Sequence, residues 1–595
     1  MKSNNISKWN YSKDLEGLLL FASLVDEITF NYSIDAHKAP ALNAVSLLQD
    51  VYETIGNVER GIIREAGIPS LLRELVTAVN GDRLFKQILE RRNLLYFITL
   101  LEQANNIKDI KLLIEMMVSG GIGEEYFENV KSDLIDLIIN NAKDKESIGY
   151  YSRIWVTHLK YLGYSSEYIY FSNREYFFGK NIIETPDAIV GFLDKFSEAG
   201  KDYYVLFRGN KIFQLLKSTF RKFGDDVTEE YKLPYKNASI EKFTSNLSDD
   251  NNLIVLNVHA RDPYSARAGA ISKIESVSSL FCCYQHKQRT RFKEKCIIIE
   301  KGNRNVYTID KPISAIFRCR DLRPNKSQAY FAHITNRLSM SQDSIISIMK
   351  SLRMHESAVD AISLENQFIN LFTALEIIIP KDVNSGKSRI QQIYDTLVPF
   401  LCLDYCRKHI RSFIADLLRL YNPEFMAIIA KVTEGKRLEE KVCALLTLKK
   451  YDSKRQELYD VFTKHNEILL RNRFYRLDEL MSNPSNLLER LKRHKQRLQQ
   501  QIDRIYRTRN LIVHAGDTPF YIDTLIENLH FYYDTLVKQL LYDNTENGHE
   551  RLEHIYLSFY IKEQNFEAKL QEIASNEVAE GMFDEGNYDI IVNTI

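Results

Sequence analysis

The chain has 595 residues, too many for one hydrophobic core, so two to four domains are expected. Apolar residues make up 45% and charged residues 27%, which is ordinary for a globular protein and excludes a disordered chain. The 79 basic and 79 acidic side chains cancel, so global charge selects no class of partner, and seven cysteines do not make a disulfide framework.

The beginning of the sequence, MKSNNISKWNYSKD, is polar and lacks the apolar region of a signal peptide. The longest apolar runs, such as LEGLLLFASLV, are far shorter than a membrane span. We therefore expect a cytoplasmic protein with reduced thiols and no membrane partner.

Residues 1–178 are predicted to form an irregular helical array. Apolar residues recur at i, i+3, i+4 and i+7 in successive segments, from DLEGLLLFASLVDEI to VKSDLIDLIINNA. The segments share no repeat of fixed period, so the pattern does not indicate a regular solenoid.

Residues 179–335 are predicted to form an α/β module with a mixed sheet and a basic hairpin. Five short runs rich in β-branched and aromatic residues indicate strands: YYVLF, NLIVLNVHA, KCIIIE, NVYTI and AIFRC. Two helical stretches, KIFQLLKSTFRKF and ARAGAISKIESVSSLFCCY, lie among them. The hairpin is predicted to turn at Gly302 and Asn303.

Helical periodicity returns in residues 336–545, which are predicted to form a helical bundle. Its most apolar helix is LENQFINLFTALEIII, and its longest is SNLLERLKRHKQRLQQQIDRIYRTRNLIVHA. Residues 546–595 are predicted to form a terminal helix and an acidic tail. The segment from Glu572 onward has six acidic residues and no lysine or arginine, which predicts a mobile end. The expected fold class is mainly α with a central α/β module.

Two other motifs in the sequence are better explained by structural roles than by catalysis or ligand binding. The sequence NSGKS ends like a phosphate-binding loop, but Lys381 stands where that loop needs its first glycine. Cys402, Cys406 and His409 share one predicted helical face, without a fourth zinc ligand at suitable spacing. We therefore expect no metal and no cofactor.

Two stretches are locally basic, and either one is able to follow a phosphate backbone. One lies between Lys287 and Lys326, and the other approaches the end of the longest predicted helix. The structural alternative for both is a solvated surface. The RNA-binding candidates come from the second stretch: Lys492, Arg493, Lys495, Arg497, Arg504 and Arg507.

The segment RTRNLIVHAGD places an arginine, an amide and a histidine where the helical pattern stops. Asn510 and His514 are i,i+4 neighbours on one helical face. Gly516 suits a left-handed C-terminal cap, Thr518 suits an N-cap and Pro519 suits the first turn of the next helix. His514 is therefore expected in a last turn, at an interhelical corner that a substrate can reach.

The spacing of Arg509 and His514 alone is weak evidence, because Arg153 and His158 have the same spacing. The residues inside that second pair, IWVT, indicate an amphipathic core helix. The amide that follows Arg509 and the predicted helix end distinguish the first pair from the second.

The sequence RNLIVHAG resembles the signature of HEPN ribonucleases: an arginine, a polar residue, a few apolar residues and a histidine. Its surroundings resemble the ApeA-type HEPN domain of bacterial anti-phage proteins, where an early helix like LENQFINLFTALEIII precedes the motif helix. The resemblance covers residues 340–545, about a third of the chain.

The resemblance implies metal-free RNA cleavage with the ribose 2′-OH as nucleophile. His514 would act as general acid or base, and Arg509 would stabilise charge on the pentacovalent phosphate. Asn510 would orient the histidine or a phosphate oxygen, and Glu365 or Glu376 of the early helix would hold the arginine. On a straight helix Arg509 and His514 point about 140° apart. Since HEPN ribonucleases generally pair two domains around one cleft, we expect a homodimer.

Three hypotheses follow for the function. The first is an RNase toxin of an abortive-infection system, which cuts RNA, with tRNA as one candidate, after a phage-derived trigger. The helical array and the α/β module would then sense infection or restrain the nuclease. The second is a non-catalytic HEPN scaffold for dimerisation or nucleotide binding. The third is a helical adaptor whose motif arose by chance.

Overall fold

The computed structural model describes residues 5–10, 13–63, 65–228, 237–245, 251–303, 305–381, 386–420, 423–576, 588–592 and 594. The chain is mainly helical, as predicted, with 71% helix and one five-stranded sheet. Among these residues, no helix has the length and apolar character that crossing a membrane requires. The first two residues of the NSGKS segment, Asn384 and Ser385, lie outside the described residues.

The first part of the chain is a set of packed helices, consistent with its predicted periodicity. They are α1 (Glu16–Thr29), α2 (Ala44–Glu59), α3 (Ile68–Gly81), α4 (Arg83–Arg91), α5 (Tyr96–Gln103), α6 (Ile107–Ser119), α7 (Ile122–Asn140), α8 (Lys145–Tyr161), α9 (Ser166–Phe178) and α10 (Ala188–Leu193). Side chains that accept a backbone N–H fix where several of them begin, as polar N-caps do. These caps are Asn43, Asp82, Asn106, Asp144 and Ser165.

The sheet is antiparallel throughout, so the predicted mixed sheet is wrong. Its strands are β1 (Lys201–Asn210), β2 (Asp226–Thr228), β3 (Asn251–Ala260), β4 (Phe292–Glu300) and β5 (Val306–Ile309), in the order β2-β3-β1-β4-β5. Strands β3 and β4 run in the same direction, but β1 lies between them and pairs antiparallel with both. No two parallel strands therefore become neighbours in the described sheet.

Two details of the predicted strands also change. AIFRC is a short 3-10 helix, Ala315–Phe317, whose first two residues are buried and which packs against a helix of the bundle. Strand β2 was not predicted, because three residues are too few to show an alternating pattern. The hairpin prediction is confirmed: β4 pairs with β5, and Gly302 has a φ of +83° in the turn.

The helices that accompany the sheet are α11 (Ile212–Leu215), α12 (Lys217–Lys222), α13 (Ala238–Thr244) and α14 (Pro263–Cys282). The later helices are α15 (Pro324–Arg337), α16 (Gln342–Asp360), α17 (Leu364–Ile378), α18 (Arg389–Leu420), α19 (Pro423–Ala430), α20 (Leu438–Thr447), α21 (Asp452–Lys464), α22 (Ile468–Ser482), α23 (Pro484–Ala515), α24 (Ile522–Asn547), α25 (Leu552–Asn576) and α26 (Asp589–Val592). The long predicted helix is α23, and the most apolar one is α17.

One hydrophobic core joins the early helices to the late ones. It contains buried residues from Trp9 to Phe196 together with others from Ala315 to Phe559. A second core lies among α18 to α23 and includes residues of α25 and α26, and the two faces of the sheet have separate small cores. The helical array and the C-terminal bundle are therefore held together by continuous apolar packing.

The predicted mobile acidic end is partly wrong. Helix α25 continues to Asn576, and Ile591 of α26 is fully buried in the second core, where α26 contacts α20. Burial of an isoleucine favours a fixed position for this short segment. The segment between these helices lies outside the described residues.

Candidate active site at the end of a long helix

The motif lies at the C-terminal end of α23, where the sequence predicted a helix end. Asn483 begins this helix by accepting the backbone N–H groups of Ser485 and Asn486, at 2.8 and 3.1 Å. Gly516 ends it with a φ of +71°, and its N–H donates to the carbonyl of Ile512 at 3.1 Å. The left-handed glycine cap is confirmed.

The predicted N-cap at Thr518 is wrong. Helix α24 begins at Ile522, and its N-cap residue, Tyr521, makes no side-chain cap bond. The Thr518 hydroxyl instead donates to Oε1 of Glu365 at 2.9 Å. This bond joins the first turn of α17 to the loop after the motif, so the two segments lie side by side.

Arg509 and Asn510 are half-buried neighbours, and His514 is exposed. Nη1 of Arg509 donates to Oδ1 of Asn510 at 3.1 Å, which orients the guanidinium along the helix surface. In the described part of the chain, neither Arg509 nor His514 has an acidic partner. An imidazole and a guanidinium are thus both available to a ligand from solution.

The two predicted supporting acids have different surroundings. Glu365 reaches the motif loop through Thr518, but it makes no bond to Arg509 among the described residues. Glu376 is paired with Arg389, whose Nε lies 3.4 Å from Oε1, at the opposite end of α17. The assignment of Glu376 to Arg509 is therefore wrong, because a closer arginine already binds it.

A further carboxyl group reaches this corner from the sheet region. Glu275 of α14 has a raised pKa, because it is partly buried and because Glu365 repels its charged form. The helix that covers the sheet therefore lies near the start of α17.

Arg504 and Arg507 do not belong to an RNA-binding surface, which corrects their predicted role. Both are nearly buried and form ion pairs with Glu74 of α3. Arg507 also lies 3.8 Å from Asp50 of α2. Burial lowers the pKa of Arg507, but Glu74 and Asp50 outweigh this effect and raise it. These arginines hold the motif helix against the N-terminal array.

The other four predicted RNA-binding residues lie earlier on α23. Lys495 is half-buried and paired with Glu563 at 2.8 Å and Glu567 at 3.3 Å, both on α25. Lys492, Arg493 and Arg497 are exposed, and Arg493 pairs with Glu489 one turn before it. Three of the six candidates thus remain on the surface.

A cleft of about 360 Å³ opens beside the loop that follows the motif. Asp517 of that loop forms part of its wall, and helices α2 and α6 form the rest. Its lining residues are Tyr52, Glu53, Gly56, Asn57, Arg60, Lys111 and Asp517. The N-terminal array therefore contributes a concave surface next to the motif.

One group of side chains has the composition of a metal site. Nε2 of His355 lies 2.9 Å from Nε2 of His530, which is 3.7 Å from Asp534. Their ligand atoms fall within 4.8 Å of one another, so they can hold a divalent cation. A structural role also fits, because Lys538 lies 2.6 Å from Asp534 and already neutralises it. No pattern in the sequence predicted this group, since α16 and α24 are far apart in the chain.

Arg153 and His158, which have the same spacing as Arg509 and His514, have different surroundings. His158 is 1% exposed, its ring is stacked on Phe127 with centroids 5.2 Å apart, and burial lowers its pKa to about 4. The interpretation of this segment as a core helix is confirmed by α8.

The motif corner can donate or accept a proton through His514 and can neutralise phosphate charge through Arg509. The two residues are five positions apart, which turns them about 140° from each other around the helix. Comparisons with protein-family models, curated proteins and solved structures give no match to this chain.

Proposed function

We propose that this chain is a metal-independent endoribonuclease of the HEPN type that acts as the toxin of an anti-phage abortive-infection system. The main support for this proposal is a difference between two groups of residues on α23. Arg504 and Arg507 are neutralised by buried acids, whereas Arg509, Asn510 and His514 reach the surface without an acidic partner among the described residues. Basic side chains at a helix end that lack acidic partners are suited to binding a phosphate-bearing substrate.

The proposed reaction is an internal transfer at phosphorus in RNA. The ribose 2′-OH gives its proton to a base and attacks the adjacent phosphorus, and the bond to the 5′ oxygen breaks. The leaving oxygen takes a proton, so the products are a 2′,3′-cyclic phosphate and a 5′-hydroxyl. His514 supplies the acid or base, and Arg509 binds the oxygens on which negative charge develops.

We propose further that two chains form the complete site. Because Arg509 and His514 diverge on α23, a twofold-related copy would bring a second pair to the same cleft. Exposed apolar side chains surround the corner: Ile362 is 80% exposed, Val513 is 49% exposed and Phe520 is 43% exposed. Apolar surface of this kind beside polar residues suits a contact between subunits.

The first test is cleavage of total cellular RNA, including tRNA, followed by sequencing of the new RNA ends. His514→Ala and Arg509→Ala should each lower the cleavage rate by about a hundredfold or more, because positioned acid–base and charge catalysis are lost. His286→Ala, an exposed histidine outside the motif, is the matched control and should cleave normally. Equal cleavage by wild type and His514→Ala overturns the proposed activity and favours a non-catalytic scaffold.

The second test concerns the chemistry. Cleavage should continue in excess chelator, and a 2′-deoxy substitution at the cut nucleotide should prevent it. His355→Ala, which removes one residue of the possible metal group, should not change the chelator result. Strict dependence on magnesium, or cleavage of the deoxy substrate, contradicts the mechanism.

The third test is subunit mixing. Wild-type chains are assembled with an excess of His514→Ala chains, and cleavage is measured per wild-type subunit. A shared site predicts that this activity falls as mixed dimers replace wild-type dimers. A chain that stays monomeric while it cuts RNA shows that one copy is sufficient.

A further inference from the structure

The boundary between the N-terminal array and the C-terminal bundle, called here the seam, contains many arginines and lysines that are matched by acids. Buried or half-buried cations without acids destabilise a fold, so such matching is expected. The matched pairs across the seam are Arg504 with Glu74, Arg507 with Glu74, Arg473 with Glu27, Arg471 with Glu16, Lys38 with Glu527 and Lys408 with Asp35.

Four arginines near this seam differ from these pairs; two are half-buried and two are exposed, and we call the space between the four the arginine cleft. They are Arg153 of α8, Arg476 of α22, and Arg490 and Arg497 of α23. Among the described residues, none of the four makes a hydrogen bond or an ion pair. The Arg476 guanidinium lies so close to α8 that a Cβ built on Gly149, one turn before Arg153, would be 2.8 Å from its Nη2.

Hydrogen-bonding rings line the same cleft. The ring of Tyr405 lies 4.7 Å from that of His409 and 4.5 Å from that of His494, measured between centroids. His409 is in turn 6.1 Å from His37, in the short helix that precedes α2. Burial and the surrounding cations lower the pKa of His409 to about 4, so its ring is neutral near pH 7.

The charge in the cleft is unbalanced. The carboxylate of Asp35 is bound by Lys408, and Glu146 and Glu479 both act on Arg476. Burial and the like charges of Arg476, Arg497 and Arg490 lower the pKa of Arg153 to about 10. Arg490 and Arg497 are exposed and Arg153 and Arg476 are half-buried, so solvent reaches the cleft.

We propose that the arginine cleft is a binding site for a compact polyphosphate, such as the phosphate chain of a nucleotide. Guanidinium groups bind phosphate oxygens in a bidentate manner, and four of them match the charge of a triphosphate. Neutral histidine and tyrosine rings add donors without adding charge. The arginines and rings come from four helices that contact one another here, which suits a compact ligand better than a long strand. Since the cleft lies in the seam, its ligand would strengthen the contact between array and bundle.

The test measures binding of inorganic pyrophosphate and of ATP by calorimetry, and the rise in melting temperature that each produces. Full-length His514→Ala protein is used, because it separates this site from any RNA cleavage. We expect both probes to bind and to raise the melting temperature. Absence of binding by both probes at millimolar concentration overturns the proposal.

Arg153→Met is the informative variant. It should weaken pyrophosphate binding about tenfold or more, since a charged hydrogen-bonding partner is lost. In the absence of ligand it should melt at the same or a higher temperature, because like-charge repulsion is relieved. A purely structural arginine would instead lower the melting temperature. If Arg153→Met does not fold, Arg490→Met, an exposed position, serves in its place.

Arg504→Met is the matched control. This arginine is in the same seam but is paired with Glu74, so its loss should lower stability and leave pyrophosphate affinity unchanged. Equal loss of affinity in both variants overturns a specific site. Binding of a single-stranded RNA oligomer that pyrophosphate does not displace assigns the cleft to nucleic acid and also overturns the proposal.

Discussion

Two consecutive stretches of α23 differ in what surrounds their charges. Arg504 and Arg507 are nearly buried and are bound by Glu74 of the N-terminal array. Arg509 and His514, less than two turns further on, have no acidic partner among the described residues. A basic run in a sequence is therefore not one functional unit. Its first part attaches the helix to the array, and its last part has no acidic partner among the described residues.

The largest expected effect tests the attached part. Glu74→Gln removes the shared acid and leaves two nearly buried guanidinium groups without it. Breaking a buried ion pair in this way costs about 3–5 kcal/mol. The free energy of unfolding, measured in urea, should fall by that amount. Glu489→Gln, at the exposed pair with Arg493, is the control and should change it by less than about 1 kcal/mol. Equal losses of stability in Glu74→Gln and Glu489→Gln would show that the buried ion pairs do not attach this stretch of α23 more strongly than an exposed pair does.

The second prediction uses acid to weaken the seam at Asp35. Lys408 outweighs the effect of burial and lowers the pKa of Asp35 to about 2, from a usual value of 3.8. A carboxyl with a lowered folded-state pKa stabilises the fold above its unfolded pKa, and this contribution is lost as pH falls towards 2. The stability difference between wild type and Asp35→Asn should be on the order of 2 kcal/mol near pH 6 and should shrink below pH 3.8. A constant difference down to pH 2 contradicts this linkage.

The third prediction concerns the glycine that ends the motif helix. Gly516 has a φ of +71° with open space around its α-carbon, so Gly516→Ala introduces conformational strain without a clash. The cost should be about 1 kcal/mol, read from the urea midpoint. Gly56→Ala, inside α2 and equally open, is the matched control and should stabilise the protein. A neutral result at Gly516 would mean that the helix end is not fixed by this turn.

The smallest expected effect on stability is at the C-terminal end of α23, at His514. His514→Ala removes an exposed side chain, so the free energy of unfolding should change by less than about 0.5 kcal/mol. The same variant should lose RNA cleavage, which sharpens the contrast with Glu74→Gln. A large loss of stability at His514 would indicate a structural histidine.

The sequence predicted the helices well because their apolar periodicity is local information. The end of α23 at Gly516 was predictable for the same reason, since a left-handed cap needs a residue without a Cβ. The sequence could not separate Arg504 from Arg509, because Glu74 lies more than four hundred residues earlier in the chain. Burial, and not composition, decides which arginine is available.

Other errors arose where tertiary contacts outweigh local preference. AIFRC has the composition of a strand, yet Arg318 binds Glu167, Asp523 and Glu527 and holds the segment against α24. The relative direction of neighbouring strands could not be predicted from the sequence either, because it depends on β1 lying between β3 and β4. The arginine cleft was missed because Arg153 of α8 lies more than three hundred residues before the other three arginines.

The shared core has a consequence for how the protein is made. Helices α1 and α3 contact α22 and α23, which leave the ribosome roughly 400 residues later, on the order of half a minute of translation. During that interval the early helices keep an unfilled apolar surface that chaperones can bind. The motif helix reaches this surface only in the last part of synthesis. Each new molecule therefore acquires its motif corner and its attachment to the array in the same folding event.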